Sequence, residues 1–186
     1  MNVFRYETPN EVVTNTEGTV IFLAGPTVRG NQPLLVSWRF EAIEMFEKLG
    51  FEGTLIVPEF INKKQSDKGR FDLPIWEDNG LERANCIMFW ICRTRECYGL
   101  NTNSEHGYWL AKDPLKLVYG RPDDAFRIDY NDVMWNKVFK KEFNLVEPIY
   151  NTLENTIKAS IARASITRKV EDYFVNTLVN RNSICK

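Results

Sequence analysis

The chain repeats one alternation: a short, continuously apolar run cut by glycine or proline, then a stretch of helical periodicity. Residues 20–24 are apolar throughout and stop at Gly25-Pro26, the pattern of a buried strand ending in a tight loop. Ser37 can then cap a helix in which Trp38, Ala42, Met45 and Leu49 recur at helical spacing, with Gly50 as its stop. Residues 54–57 form a second strand ending at Pro58-Glu59, and the polar residues 61–72 read as loop. Pro74 opens a helix over residues 75–84. Residues 86–91 are a third strand, and residues 101–104 lead into a helix from about Glu105 to Lys112 that Asp113-Pro114 ends. Residues 115–119, closed by Gly120, are a fourth strand. Continuous apolar strands alternating with helices predict an α/β chain, a parallel sheet with helices on both faces. Such sheets bind ligands beyond the C-terminal strand ends, where strand order reverses. With the first strand between the second and third, that crevice joins Gly25-Pro26-Thr27 to the loop leading into Glu105.

The flanks are read differently. Residues 1–18 form a polar lead-in carrying Glu7, Glu11 and Glu17, unlike a signal peptide. Residues 19–147 make the α/β domain and residues 148–186 a helical extension. In that extension Ile149, Leu153, Ile157 and Ile161 form one apolar stripe, and Ile166, Val170, Phe174 and Leu178 a second. It is two helices or one long one, packed on its own domain or against another subunit. Of the 186 residues 44% are hydrophobic and 26% charged, enough for a core without metals or disulfides. A net charge of −1 gives no general attraction to nucleic acid or anionic membranes, and no apolar run approaches a bilayer span. The four cysteines contain no CxxC and read as reduced thiols of a cytoplasmic protein. A single histidine, His106, argues against a conventional zinc site, so no metal is assigned.

The residues able to carry chemistry cluster near the proposed crevice. Glu105, after the capping candidates Asn103 and Ser104, falls in a first turn where the helix dipole favours an ionised carboxylate. Such a group can attack an anomeric carbon, although glutamates also occupy first turns simply because the dipole suits them. Gly25 permits close backbone approach to a ligand, and Arg29 could meet a phosphate; an ordinary strand-ending turn has the same sequence. Trp38-Arg39 could stack on a base or pair with an anion, or could be a core tryptophan beside a surface arginine. Glu77 offers a second carboxylate. Trp90 and Arg93 leave the third strand near the crevice, and His106 is a proton donor or an incidental exposed histidine.

In order, Ile21-Phe22-Leu23-Ala24-Gly25-Pro26-Thr27, Ser37-Trp38-Arg39, Pro58-Glu59, Trp76-Glu77, Phe89-Trp90-Ile91-Cys92-Arg93, Thr102-Asn103-Ser104-Glu105-His106-Gly107 and Gly120-Arg121-Pro122 resemble the nucleoside 2-deoxyribosyltransferase-like family over roughly residues 20–130. The resemblance implies a flavodoxin-like fold and retaining transfer of 2-deoxyribose between bases, with Glu105 as nucleophile and the nucleoside over Gly25-Pro26-Thr27. It implies no cofactor and a homo-oligomer that binds a nucleoside or nucleotide and a free base. Its base-holding aspartate falls on Asn85, where an amide has no titratable proton, so Glu77 becomes the candidate acid. Two other readings follow. One is a nucleoside 5′-monophosphate N-glycosidase, with Arg29, Arg39, Arg93 and Arg121 for the phosphate. The other is a nucleotide-binding sensor without turnover, favoured by Asn85.

Overall fold

The computed structural model describes residues 1–28, 36–61 and 72–184, with side chains described as far as residue 175. Five strands, β1 (Asn2–Phe4), β2 (Val20–Ala24), β3 (Thr54–Ile56), β4 (Cys86–Trp90) and β5 (Leu117–Gly120), form one parallel sheet in the order β1-β3-β2-β4-β5. The helices are α1 (Asn10–Thr14), α2 (Trp38–Lys48), α3 (Leu73–Arg83), α4 (Leu100–Lys112), α5 (Asp129–Phe143) and α6 (Leu153–Ile184). This is a flavodoxin-like α/β fold with a long C-terminal helix. Every residue of β2 and β4 is buried, as continuous apolar runs require in a sheet covered on both faces. Strand order reverses on the two sides of β2, so the loops after β2 and β4 flank the crevice that the sequence places there.

The core lies in two layers. Phe22, Phe89, Trp76, Trp109 and Trp135 pack on one face under α3, α4 and α5. Ile21, Leu23, Met88, Phe46 and Ile157 pack on the other under α2 and α6.

Several boundaries differ from those expected. Residues 1–18 are not a loose lead-in: β1 adds a strand beside β3, and Trp76 Nε1 donates to the Thr8 carbonyl at 3.0 Å, tying the following loop to α3. Helix α5 fills residues to which the sequence pattern assigns no element; Ile128, Asn131, Trp135 and Phe139 are its buried stripe and its leading edge. The fourth strand begins only at Leu117, because Pro114–Lys116 forms a short 3₁₀ turn. The C-terminal residues form a single helix rather than two. Its first half belongs to the core, with Leu153, Ile157 and Ala164 buried, so residues 148–186 are not merely an extension. Gly120 is needed there: a Cβ would lie 2.1 Å from Thr156 Oγ1, where α6 crosses β5. Among the described residues no helix is long and apolar enough to cross a membrane.

Candidate active site

The loop after β2 is built from beneath by one buried arginine. Arg39, 1% exposed, donates from Nε to the Leu23 carbonyl at 2.9 Å and from Nη2 to the Gly25 carbonyl at 2.8 Å. Its Nη1 donates to the Pro26 carbonyl at 3.3 Å and to Thr27 Oγ1 at 3.2 Å, and pairs with Glu59 Oε1 at 2.9 Å. Glu59 also accepts from the Ser37 hydroxyl at 2.8 Å, while that hydroxyl oxygen caps α2 by accepting from the Arg39 amide. Trp38 Nε1 donates to the Pro26 carbonyl at 3.1 Å. The pattern corrects the reading of Trp38-Arg39 as ligand contacts: both are committed to holding Gly25-Pro26-Thr27 in one shape.

Gly25 is explained by the same packing. A Cβ there would lie 2.3 Å from the Trp90 carbonyl oxygen and 2.9 Å from the Trp38 ring. The close approach is to the protein itself, and Trp90 is a core residue rather than a base platform. Pro26 is buried against the start of α4, while Thr27 stays exposed at the loop tip. Arg29 lies outside the described residues.

Within reach of the Arg39 charge the structure gathers Tyr6, Glu77 and Glu105. Tyr6, just past β1, donates its hydroxyl to Glu77 Oε1 on α3. The Tyr6 ring is fixed at 5.0 Å from both Phe60 and Trp76. Both carboxyls are half-buried. Burial pushes Glu77 above its ordinary range, opposed by the Tyr6 hydrogen bond and by Arg39. Glu105 rises further, to about 7: burial contributes most, the Glu77 charge adds to it, and Arg39 opposes it. Burial and the Glu77 charge also raise Tyr6, keeping it a hydrogen-bond donor. The result is two carboxyls that both hold a proton more tightly than a free glutamate does, Glu105 the more so, with Glu77 oriented by Tyr6.

Glu105 reaches this state by a different route from the expected one. Helix α4 starts at Leu100, after Gly99 in the left-handed region (φ 56°), so Glu105 lies in the second turn. Asn103 and Ser104 are helical residues rather than caps, and the dipole does not hold Glu105 ionised. Tyr6 is not marked in the sequence, because the short strand that carries the chain to it is defined by its pairing with β3.

The remaining candidates lie elsewhere. Asn85 is fully buried at the start of β4, the opposite sheet edge from the loop, where Oδ1 accepts from the Val20 amide at 2.8 Å. Its Nδ2 donates to Glu171 Oε2 on α6 at 2.7 Å, which fixes it as a structural tie and removes it from catalysis. Arg93 and Asn103 hydrogen-bond each other in the cleft between α4 and α5. At about 100° per residue, Asn103, His106, Gly107 and Leu110 share one face of α4, and Glu105 points roughly 150° away from it. His106 is neither exposed nor a proton donor: it is 2% exposed beside Phe89, Tyr119 and Trp135, and burial lowers its pKa to about 4. Arg121 is held by Asp132 at 2.7 Å. Comparison of the chain with protein-family models and with curated protein sequences returns no match.

Proposed function

We propose that the protein is a nucleoside 2-deoxyribosyltransferase-like enzyme that cleaves and re-forms N-glycosidic bonds by double displacement at Glu105. The observation carrying this reading is the Glu77–Glu105 pair, both within reach of the Arg39 charge that also orders the loop after β2. Glu105 attacks C1′ in its ionised form, and the departing base takes the pair's proton from Glu77. A second base then attacks C1′ of the glycosyl ester, gives its ring N–H proton to Glu77 and releases the Glu105 carboxylate. Two inversions retain configuration. In the free protein the Tyr6 hydrogen bond, which lowers Glu77 alone, favours the proton on Glu105. The reactive arrangement, with the proton on Glu77, is therefore the minor form of the singly protonated pair.

Two observations favour this reading over the other two. Of the arginines available for a 5′-phosphate, Arg39 is spent on the loop, Arg121 on Asp132, and Arg93 faces the other side of α4. This favours a nucleoside over a nucleotide among the described residues. The sensor reading rested on Asn85, which lies at the wrong edge of the sheet.

The second half of α6 supports an assembly. Ile166, Val170, Tyr173 and Phe174 recur along it at helical spacing and are each about half exposed or more. We assign this stripe to contact with another copy of the chain.

The test is product analysis on a nucleoside and 5′-monophosphate panel, with and without a second free base. A new nucleoside should form only when the second base is added. Free sugar formed regardless of added base makes the protein a hydrolase. No conversion of any member overturns the catalytic reading.

A further inference from the structure

The cleft between α4 and α5 holds a buried cation that no carboxylate neutralises among the described residues. Arg93 is 6% exposed. Its Nη1 donates to the Arg127 carbonyl at 2.9 Å and its Nη2 to the Asn103 side-chain oxygen, both uncharged acceptors. Its Nε has no hydrogen-bond partner among the described residues. Among the described residues no carboxylate acts on its charge, and Asp132 on α5 is already engaged by Arg121 and the Tyr119 hydroxyl. A buried, unpaired guanidinium is costly in a protein interior unless an anion joins it.

His106 adds a second unmatched donor. The Asn131 amide nitrogen, which can only donate, lies 3.4 Å from His106 Nδ1. With that amide donating to Nδ1, the ring proton sits on Nε2, which lacks a partner among the described residues. Arg93 and His106 both line a cavity of about 300 Å³ whose other walls include Leu110, Met134 and Val138, and no acidic residue lines it. Arg127 stands at its edge with a strained left-handed backbone (φ 50°) and brings a second positive charge.

Gly107 points to the same space. It sits inside α4, where glycine weakens a helix relative to alanine. No packing demands it, since a Cβ there would meet nothing within 4 Å. It borders the cavity, and a side chain added there would stand in open space at the cavity's mouth.

We propose that this cleft binds a small organic anion, its carboxylate or phosphate group held by Arg93 and its apolar body lying between Leu110 and Met134. The site faces away from Glu105 and does not depend on the chemistry proposed there.

The test is calorimetric titration of the full chain with benzoate, phenyl phosphate and, as the neutral counterpart, benzyl alcohol. At least one anion should bind with a Kd below about 1 mM, and benzyl alcohol at least tenfold more weakly. The two anion arms separate a carboxylate from a phosphate ligand. Arg93→Met should weaken the anion at least tenfold. Gly107→Leu sets a branched side chain at the cavity mouth and improves the helix, so it should keep or raise the melting temperature and weaken binding at least tenfold, which covers the case in which Arg93→Met fails to fold. No binding of either anion at about 10 mM, equal binding of benzyl alcohol, or wild-type binding in folded Gly107→Leu overturns the proposal.

Discussion

Replacing Glu105 with glutamine should make the protein more stable, and more so as pH rises. Burial and the Glu77 charge raise this carboxyl from 4.5 to about 7, so the folded state holds its proton more tightly than the unfolded chain does. Between those two values the unfolded state binds fewer protons, and stability must fall as pH rises. At about 1.4 kcal/mol per tenfold change in proton affinity, the full loss is about 3 kcal/mol at pH 8 and under about 1 kcal/mol at pH 5. Glu105 is partly exposed, which lowers the pH 8 figure toward about 2 kcal/mol. Glutamine keeps the shape and cannot ionise. Urea denaturation of both proteins at pH 5 and pH 8 measures the difference. Glu105→Gln should gain about 2–3 kcal/mol at pH 8 and under about 1 kcal/mol at pH 5. An equal gain at both pH values, or a less stable variant at pH 8, would refute the buried-pair reasoning.

Other outcomes follow from the same geometry. Because attack needs one proton on the pair, kcat/KM should be bell-shaped, with the alkaline limb falling near the Glu105 value of about 7; a plateau above pH 8 would mean that no acid is used. Arg39→Met should cost about 3–5 kcal/mol in thermal or chaotrope denaturation, because it strands buried Glu59 and the loop carbonyls. The same variant should cut activity even though the side chain lies beneath the loop, away from bound substrate. Phe174→Asp should shift light scattering toward the monomer without lowering the melting temperature, since Phe174 is exposed and outside both core clusters; a monomeric parent protein contradicts the subunit contact.

The sheet centre was legible because β2 and β4 are apolar without interruption, and only a strand buried on both faces tolerates that. Helix α2 was legible from its spacing, its serine cap and Gly50, which adopts φ +69°. Strand β1 was not: it is three residues long, partly exposed, and recognisable only through pairing with β3 about fifty residues later in the chain. The start of α4 was misplaced because Asn103 and Ser104 have the chemistry of caps, whereas the turn is made by Gly99. Glu77 and Glu105 could be named from the sequence, but their coupling could not, since it depends on two helices meeting across the sheet edge. Arg39 was misjudged for a physical reason: arginine is rarely buried without a partner, and its partner Glu59 lies on the loop after β3.

The central claim is a covalent bond between Glu105 and a sugar. Fluorine at the 2-position of a nucleoside slows both displacements by destabilising the oxocarbenium-like transition state, so the ester should accumulate when a good leaving base speeds its formation. The decisive measurement is intact-mass and peptide mass spectrometry after incubation with such a nucleoside. One added fluoro-sugar mass should appear on Glu105, disappear when a second base is supplied, and never form in Glu105→Ala. Consumption of unmodified nucleoside by the same protein with no adduct, or with an adduct on another residue, would contradict it.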